Sequence, residues 1–174
     1  KGDLSRLWCG FWQLADPKIW IASTVPMVLG ATLAYSFHRV FSLYWFIWCI
    51  IGIYLIEIGK NAINEFVDFK TGADLFVTPD KRTPFSGGKK VIVDGILTVR
   101  ETKIIAVVTM SIAAIIGFYI VLFREYHILW IGITGFLLSI LYSLPPFKFC
   151  YRGLGEIVVG LCFGPLTLLG TYIV

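Results

Sequence analysis

The chain has 174 residues, of which 57% are hydrophobic, with a formal net charge of +4 and a mean hydropathy of +0.82. A soluble domain is about 45–50% apolar, so this composition excludes an ordinary soluble domain. The basic residues lie between apolar runs and not on a soluble surface, so the positive charge does not indicate nucleic acid binding. The runs also lack the apolar–polar alternation of a membrane β-barrel.

Five apolar runs dominate the chain, and each is close to the roughly 20 residues that a helix needs to cross the hydrocarbon core. A short amphipathic segment over 4–15 precedes them and is predicted to lie in the membrane interface. We therefore predict an all-α, multi-pass transmembrane bundle. Its five spans are expected at about 17–37, 40–69, 98–123, 126–144 and 154–174.

Local signals mark where several of these helices begin and end. Asp16 followed by Pro17 predicts an N-cap and a first helical position for span one. Gly72 is a natural terminator for span two. The segment from Thr98 to Glu101 has the pattern of a capping box and predicts the start of span three. The connection 70–97 between these two spans is long, and long loops are often functional.

The Lys and Arg residues are distributed unevenly among the connections. Twelve of the 15 lie before span one, in the loop 70–97 and its flanks, or between spans four and five. The positive-inside rule then places the N-terminus and both basic loops in the cytoplasm, with the spans in the cell membrane.

A polar stripe occupies the end of span two, where a bilayer makes charged and amide groups costly unless they have a function. On a helix that advances 100° per residue, its members share one narrow face: Glu57, Asn61, Asn64 and Asp68. This face predicts a metal or ion site.

Asn64 and Asp68 are neighbours four residues apart on that face, and Asp74 lies beyond the terminator Gly72, from where it can fold back. Amide and carboxylate oxygens suit Mg²⁺, which takes one or two carboxylates and completes its shell with water and substrate phosphates. The alternative is an acidic helix end that is merely paired with Lys60 and Lys70.

Basic residues are predicted on the same side of the membrane as these acids. Together with a divalent cation they form the surroundings that a diphosphate needs, and the candidates are Lys81, Arg82, Lys89, Lys90, Lys148 and Arg152. For Lys89, Lys90, Arg100 and Lys103 the favoured interpretation is the charge rule alone. For Glu57 and Lys60 the favoured interpretation is an internal ion pair, and the alternative is a contact with substrate.

Three stretches of the chain resemble motifs of the UbiA superfamily of intramembrane prenyltransferases. Residues 61–74 read NAINEFVDFKTGAD and are similar to the first Asp-rich motif of that family. Residues 80–88, DKRTPFSGG, are similar to the segment that follows it. Residues 142–156 include YSLPPFK and YRGLGE and resemble the loop before the fifth helix of the family. The GLGE sequence and the step of six residues from Asp68 to Asp74 are closest to the 1,4-dihydroxy-2-naphthoate branch, which makes menaquinone.

The resemblance implies a Mg²⁺-dependent transferase that moves a prenyl group from a polyprenyl diphosphate to an aromatic acceptor, here 1,4-dihydroxy-2-naphthoate. It implies that Asn64, Asp68 and Asp74 hold the Mg²⁺ and form the catalytic centre. On the diphosphate side it implies contacts from Arg82, Lys148, Arg152, Lys81 and Asn61.

One departure from the family concerns length. Members are longer and carry a second Asp-rich motif, which does not occur in these residues. We therefore expect 1–174 to be the N-terminal part of a single domain whose C-terminal part is a partner in the activity. The alternatives are prenyl transfer to another acceptor of the same superfamily, an inactive scaffold subunit and, because Glu57, Lys60 and Asn61 lie within a span, a membrane transporter.

Overall fold

A computed structural model of the chain describes residues 2–73 and 89–174, and within them the protein consists of helices and connecting turns without strands. This confirms the predicted all-α class. The helices are α1 (Gly2–Ala15), α2 (Ile21–His38), α3 (Leu43–Thr71), α4 (Val99–Phe123), α5 (Ile128–Leu141), α6 (Gly155–Leu161) and α7 (Thr167–Ile173), with a π-helical turn (Cys162–Leu166) that joins α6 to α7.

Three helical stretches of the described chain are long and apolar enough to cross a membrane: α3, α4 and the continuous stretch Gly155–Ile173. A fourth is obtained if α1 and α2, which are bent by 53° at a short break, count as one span. The predicted count of five is not confirmed, because α5 has only 14 residues. Apolar residues on either side of α5 lie in turns, so the apolar run is longer than the helix that it contains.

The outward faces of the long helices are apolar, as expected for contact with lipid. Along α4, for example, Val107 and Ile115 are largely exposed and Leu122 is 73% exposed. The opposite face of α4 packs along α3. These apolar helices are typical of a membrane protein.

Two helix pairs hold the bundle together through close backbone approaches. α3 lies against α4 at Gly59, where an added Cβ atom would lie 2.6 Å from the Met110 side chain. α2 lies against α7 at Gly30, where an added Cβ atom would lie 2.4 Å from the Leu168 carbonyl oxygen. Small residues at such crossings are typical of membrane helices, which associate through close packing.

The predicted helix signals had different outcomes. Gly72 ends α3 with a φ of 77°, and Thr98 and Glu101 form the capping box at the start of α4, so both predictions are confirmed. Asp16 lies at the N-cap position of a short helical turn, Pro17–Ile19, and Pro17 begins that turn, as predicted, but the Asp16 side chain makes no capping hydrogen bond and α2 itself begins at Ile21. The buried Asp16 carboxylate instead contacts the ammonium groups of Lys18 and Lys89, which interact with a buried charge more strongly than a backbone amide does.

Candidate functional site

A cluster of hydrogen-bonded polar side chains lies at the end of α3. The Asn64 amide Nδ2 donates to Asp68 Oδ2 over 2.7 Å, which confirms that the two residues are neighbours on one helix face. Ser143 Oγ donates to Asn64 Oδ1 over 2.7 Å, and the Tyr151 hydroxyl donates to Asp68 Oδ1. Each of the two α3 side chains is therefore oriented by a hydroxyl group from the connection between α5 and α6. We call these four residues the Asn64–Asp68 cluster.

The connection 142–154 reaches the cluster because it folds back on itself. The Cys150 backbone amide donates to the Tyr142 carbonyl over 3.0 Å, which brings the two ends of the turn together. A short helical turn, Phe149–Tyr151, then presents the Tyr151 side chain to α3. Burial and the hydrogen bond to Asp68 raise the pKa of Tyr151 to about 12, so this phenol stays protonated at neutral pH and remains a donor.

The same connection carries two of the predicted cationic residues. The Lys148 Nζ lies 6.0 Å from the centroid of the Tyr151 ring, so its charge is close to the Asn64–Asp68 cluster. Arg152 is exposed, and its guanidinium lies 3.3 Å from the Pro146 carbonyl oxygen. The structure therefore places the Lys148 cation near Tyr151, whose hydroxyl contacts the Asp68 carboxylate of α3.

The remaining predicted site residues are Asn61, Asp74, Lys81 and Arg82. Asp74, Lys81 and Arg82 fall outside the described residues. Asn61 is buried, and its amide donates to the Leu14 carbonyl oxygen over 3.1 Å, so it joins α3 to α1. Among residues 2–73 and 89–174, no group of three or more His, Cys, Asp or Glu side chains could hold a metal ion by itself.

Sequence reasoning missed the buried carboxylate of Glu65. Its two oxygens accept from the backbone amides of Lys89 and Lys90 over 3.1 Å and from that of Ile92 over 3.2 Å. The Lys89 ammonium also pairs with Asp16. The interpretation that Lys89 and Lys90 only obey the charge rule is therefore incomplete, because this segment is bound to α3 where the chain approaches α4.

A half-open, mostly apolar cavity of about 170 Å³ lies between α3, α4, α5 and the continuous stretch α6–α7. Glu57 lines it and is 2% exposed, and neither of its carboxylate oxygens has a hydrogen-bond partner. Lys60 also lines it, with its Nζ 5.4 Å from the Phe163 ring centroid and 5.8 Å from that of Tyr142.

The favoured interpretation of Glu57 and Lys60 is an internal ion pair, but in the part of the chain that the structure describes the two side chains make no direct hydrogen bond, and only a longer-range attraction between their charges remains. Helical spacing alone could not show this, because residues three apart on a helix are able to pair. The Lys60 side chain lies against the faces of two aromatic rings instead, an arrangement that is favourable for a cation. No local signal in the sequence predicts those rings as partners.

The cavity and the Asn64–Asp68 cluster adjoin one another. Lys60, which lines the cavity, lies one helical turn before Asn64 on α3. Tyr142 also lines the cavity, and the next residue, Ser143, donates to Asn64. A polar, anionic group with cations nearby is therefore continuous with an apolar chamber, an arrangement that fits an amphiphilic ligand with a charged head and an apolar tail.

Comparison with known proteins finds relatives whose names all refer to prenyltransferases. The chain is similar to a 1,4-dihydroxy-2-naphthoate octaprenyltransferase of Bacillus subtilis (strain 168), with 29% identity over 163 residues that cover 94% of this chain and 50% of the relative. It is also similar to the UbiA prenyltransferase domain-containing protein 1 of Dictyostelium discoideum, with 27% identity over 181 residues, 99% of this chain and 52% of the relative. The human protein of the same name is 26% identical over 168 residues, 94% of this chain and 47% of the relative.

The chain thus spans about half the length of the curated relatives it matches. Residues 23–174 match the sequence pattern of the UbiA prenyltransferase family. This range is most of the chain and includes the Asn64–Asp68 cluster and the residues that line the cavity. The chain belongs to the UbiA prenyltransferase family.

Proposed function

We propose that the protein containing this chain transfers a prenyl group from a polyprenyl diphosphate to an aromatic acceptor, 1,4-dihydroxy-2-naphthoate, in menaquinone biosynthesis. The observation that carries the proposal is the Asn64–Asp68 cluster next to an apolar cavity, with Lys148 close to the cluster. The acceptor comes from the name of the Bacillus subtilis relative and from the GLGE sequence at 153–156.

The oxygens of Asn64 and Asp68 fit a hard divalent cation, because Mg²⁺ prefers carboxylate and amide oxygen ligands. Asn64 Oδ1 accepts from the Ser143 hydroxyl, Asp68 Oδ1 accepts from the Tyr151 hydroxyl, and Asp68 Oδ2 accepts from the Asn64 amide. Each of these oxygens has a second lone pair that could bind a cation. Asn64, Asp68 and Asp74 are the proposed ligands. A bound Mg²⁺ would supply positive charge against the departing pyrophosphate.

The cationic side chains have a complementary role in this proposal. Lys148, Arg152, Arg82 and Lys81 would bind the diphosphate oxygens that the acids do not reach, since Lys and Arg neutralise phosphate charge. We propose Asn61 as a further polar group on this side. Positive groups fixed before the reaction stabilise the negative charge that develops as the allylic C–O bond breaks.

The apolar cavity supports the second half of the reaction. The carbon that loses pyrophosphate gains carbocation character, and water would capture it if it entered. A chamber walled by aliphatic and aromatic side chains of α3, α4 and α5 excludes water from this carbon. The electron-rich ring of the acceptor can then attack it, forming the new C–C bond and releasing a proton from the ring system or carbon dioxide from its carboxyl group.

The setting of the reaction follows from charge and hydropathy. We propose a multi-pass protein of the cell membrane with the N-terminus and the basic loops in the cytoplasm, where diphosphate substrates are made available to the Asn64–Asp68 cluster. The remaining part of the protein, about half of its relatives' length, is the proposed partner that completes the site.

The test is a prenyl transfer assay on the complete protein with Asp68→Asn. This substitution removes the carboxylate charge at the cluster, and we expect the rate to fall by a factor on the order of 1,000, as for the loss of a major electrostatic contact. Asp3→Asn is the matched control, since Asp3 is an exposed carboxylate of α1 that pairs with Arg6. Undiminished turnover of Asp68→Asn would contradict the proposed function.

A further inference from the structure

We propose that Glu57 and Lys60 form the binding subsite for the aromatic acceptor and select an aromatic acid with a hydroxyl group beside its carboxylate. The acceptor hydroxyl donates to the Glu57 carboxylate, and the acceptor carboxylate accepts from the Lys60 ammonium. The inference rests on the proposed function only in identifying the ligand as the acceptor of prenyl transfer. The chemical groups that the subsite would bind are inferred from the side chains that line the cavity.

Glu57 is the first observation. Its side chain lines the cavity, is 2% exposed, and has two oxygens without a hydrogen-bond partner. Almost all buried polar atoms of native proteins are hydrogen-bonded, and an unpartnered buried carboxylate is especially costly. A carboxylate that faces a cavity gains the missing hydrogen bond when a ligand in the cavity donates one to it. Hydroxyl hydrogen atoms are the donors that an aromatic acceptor offers.

Lys60 is the second observation and is independent of the first. Its ammonium lies against the Phe163 and Tyr142 rings, and in the described chain it makes no direct hydrogen bond with Glu57. An ammonium group has three donors and no acceptor. Ring faces attract its charge but do not use those donors in ordinary hydrogen bonds, so they remain available for an anionic group of a ligand in the cavity.

Glu57, Lys60 and Asn64 follow one another along α3, from the cavity towards the Asn64–Asp68 cluster. Glu57 and Lys60 are three residues apart, about 4.5 Å along the helix axis, and Asn64 follows about 6 Å further on. A single aromatic ring system that contacts Glu57 and Lys60 therefore lies next to the cluster where the diphosphate leaves. The acceptor carbon and the first prenyl carbon are then brought together without any movement of α3.

A purely apolar occupant fits this end of the cavity less well. A prenyl tail would leave the Glu57 oxygens without a donor and the Lys60 ammonium without an anion, at a cost for each group. The tail is better accommodated along the aliphatic walls near Ile116, Ile120 and Ile131. The cavity thus has one end suited to a hydroxylated aromatic acid and another suited to a hydrocarbon.

Direct binding tests this assignment without requiring catalysis. The complete protein in lipid nanodiscs is titrated by fluorescence with 1-hydroxy-2-naphthoate, 2-naphthoate, which lacks the hydroxyl, and 1-naphthol, which lacks the carboxylate. Glu57→Met should weaken 1-hydroxy-2-naphthoate and 1-naphthol about tenfold and leave 2-naphthoate nearly unchanged, as for loss of one charged hydrogen bond. Lys60→Met should weaken both acids by a similar factor and spare 1-naphthol.

Thr134→Ala is the control, because Thr134 is an exposed residue of α5 outside the cavity lining, and its hydroxyl donates to the Trp130 carbonyl over 2.8 Å. This variant should leave all three affinities unchanged. Equal losses for all three ligands in Glu57→Met and Lys60→Met, no loss in either, or no binding of these ligands by the unaltered protein would each overturn the subsite.

Kinetics separates this inference from the proposed function. If the protein transfers prenyl groups, both variants should raise the acceptor KM and leave the KM for prenyl diphosphate unchanged. Prenyl transfer with an unchanged acceptor KM in both variants overturns the subsite and leaves the proposed function intact. The predicted binding pattern in a protein that transfers no prenyl group supports the subsite and contradicts the proposed function.

Discussion

Glu65 and Glu57 are both on α3, two turns apart, and are 1% and 2% exposed, yet their surroundings are opposite. Glu65 accepts three backbone amide hydrogen bonds from the segment that leads into α4. Glu57 faces a cavity, and its oxygens have no partner. Burial alone therefore does not distinguish a structural carboxylate from a functional one. The distinction lies in whether the fold itself supplies the donors.

Substitution of Glu65 should have the largest effect on stability. Glu65→Ala removes the acceptor of three buried amides, and we expect the free energy of unfolding to fall by about 3 kcal/mol, as for breaking a buried charged network from one side. Denaturant titration of the complete protein in detergent micelles measures this. Glu156→Ala, which alters an exposed glutamate of α6, is the control and should change little. A loss no larger than that of the control would remove the contrast between the two glutamates.

Substitution of Glu57 should have a smaller effect on stability than substitution of Glu65, measured under the same conditions. Glu57→Met replaces an unpartnered buried carboxylate by an apolar side chain of similar length, so we expect the free energy of unfolding to stay the same or rise by about 1 kcal/mol. A decrease of the size expected for Glu65→Ala would mean that Glu57 has structural partners, and the acceptor subsite would lose its main support.

The features that were predictable from the sequence are those set by residues close together in the chain. The capping box at Thr98, the helix end at Gly72 and the contact between Asn64 and Asp68 all depend on spacings of a few residues. Spacing and residue type were sufficient for these because the backbone of a regular helix fixes the relative positions of such neighbours.

The features that were not predictable depend on how distant segments fold together. Tyr151 contacts Asp68 only because the connection after α5 turns back toward α3. Glu65 finds its donors in a segment more than twenty residues later. The span count is not confirmed for a related reason, since an apolar run does not reveal where the backbone of α5 leaves its helix.

We propose above that Asn64 and Asp68 hold a divalent cation against a prenyl diphosphate. Electron paramagnetic resonance of Mn²⁺, added to the complete protein with an unreactive prenyl thiodiphosphate, tests it without catalysis. We predict a bound Mn²⁺ signal that requires the diphosphate analogue, persists in Asp3→Asn and is lost in Asp68→Asn. Equal Mn²⁺ binding by the unaltered protein and Asp68→Asn would contradict the claim.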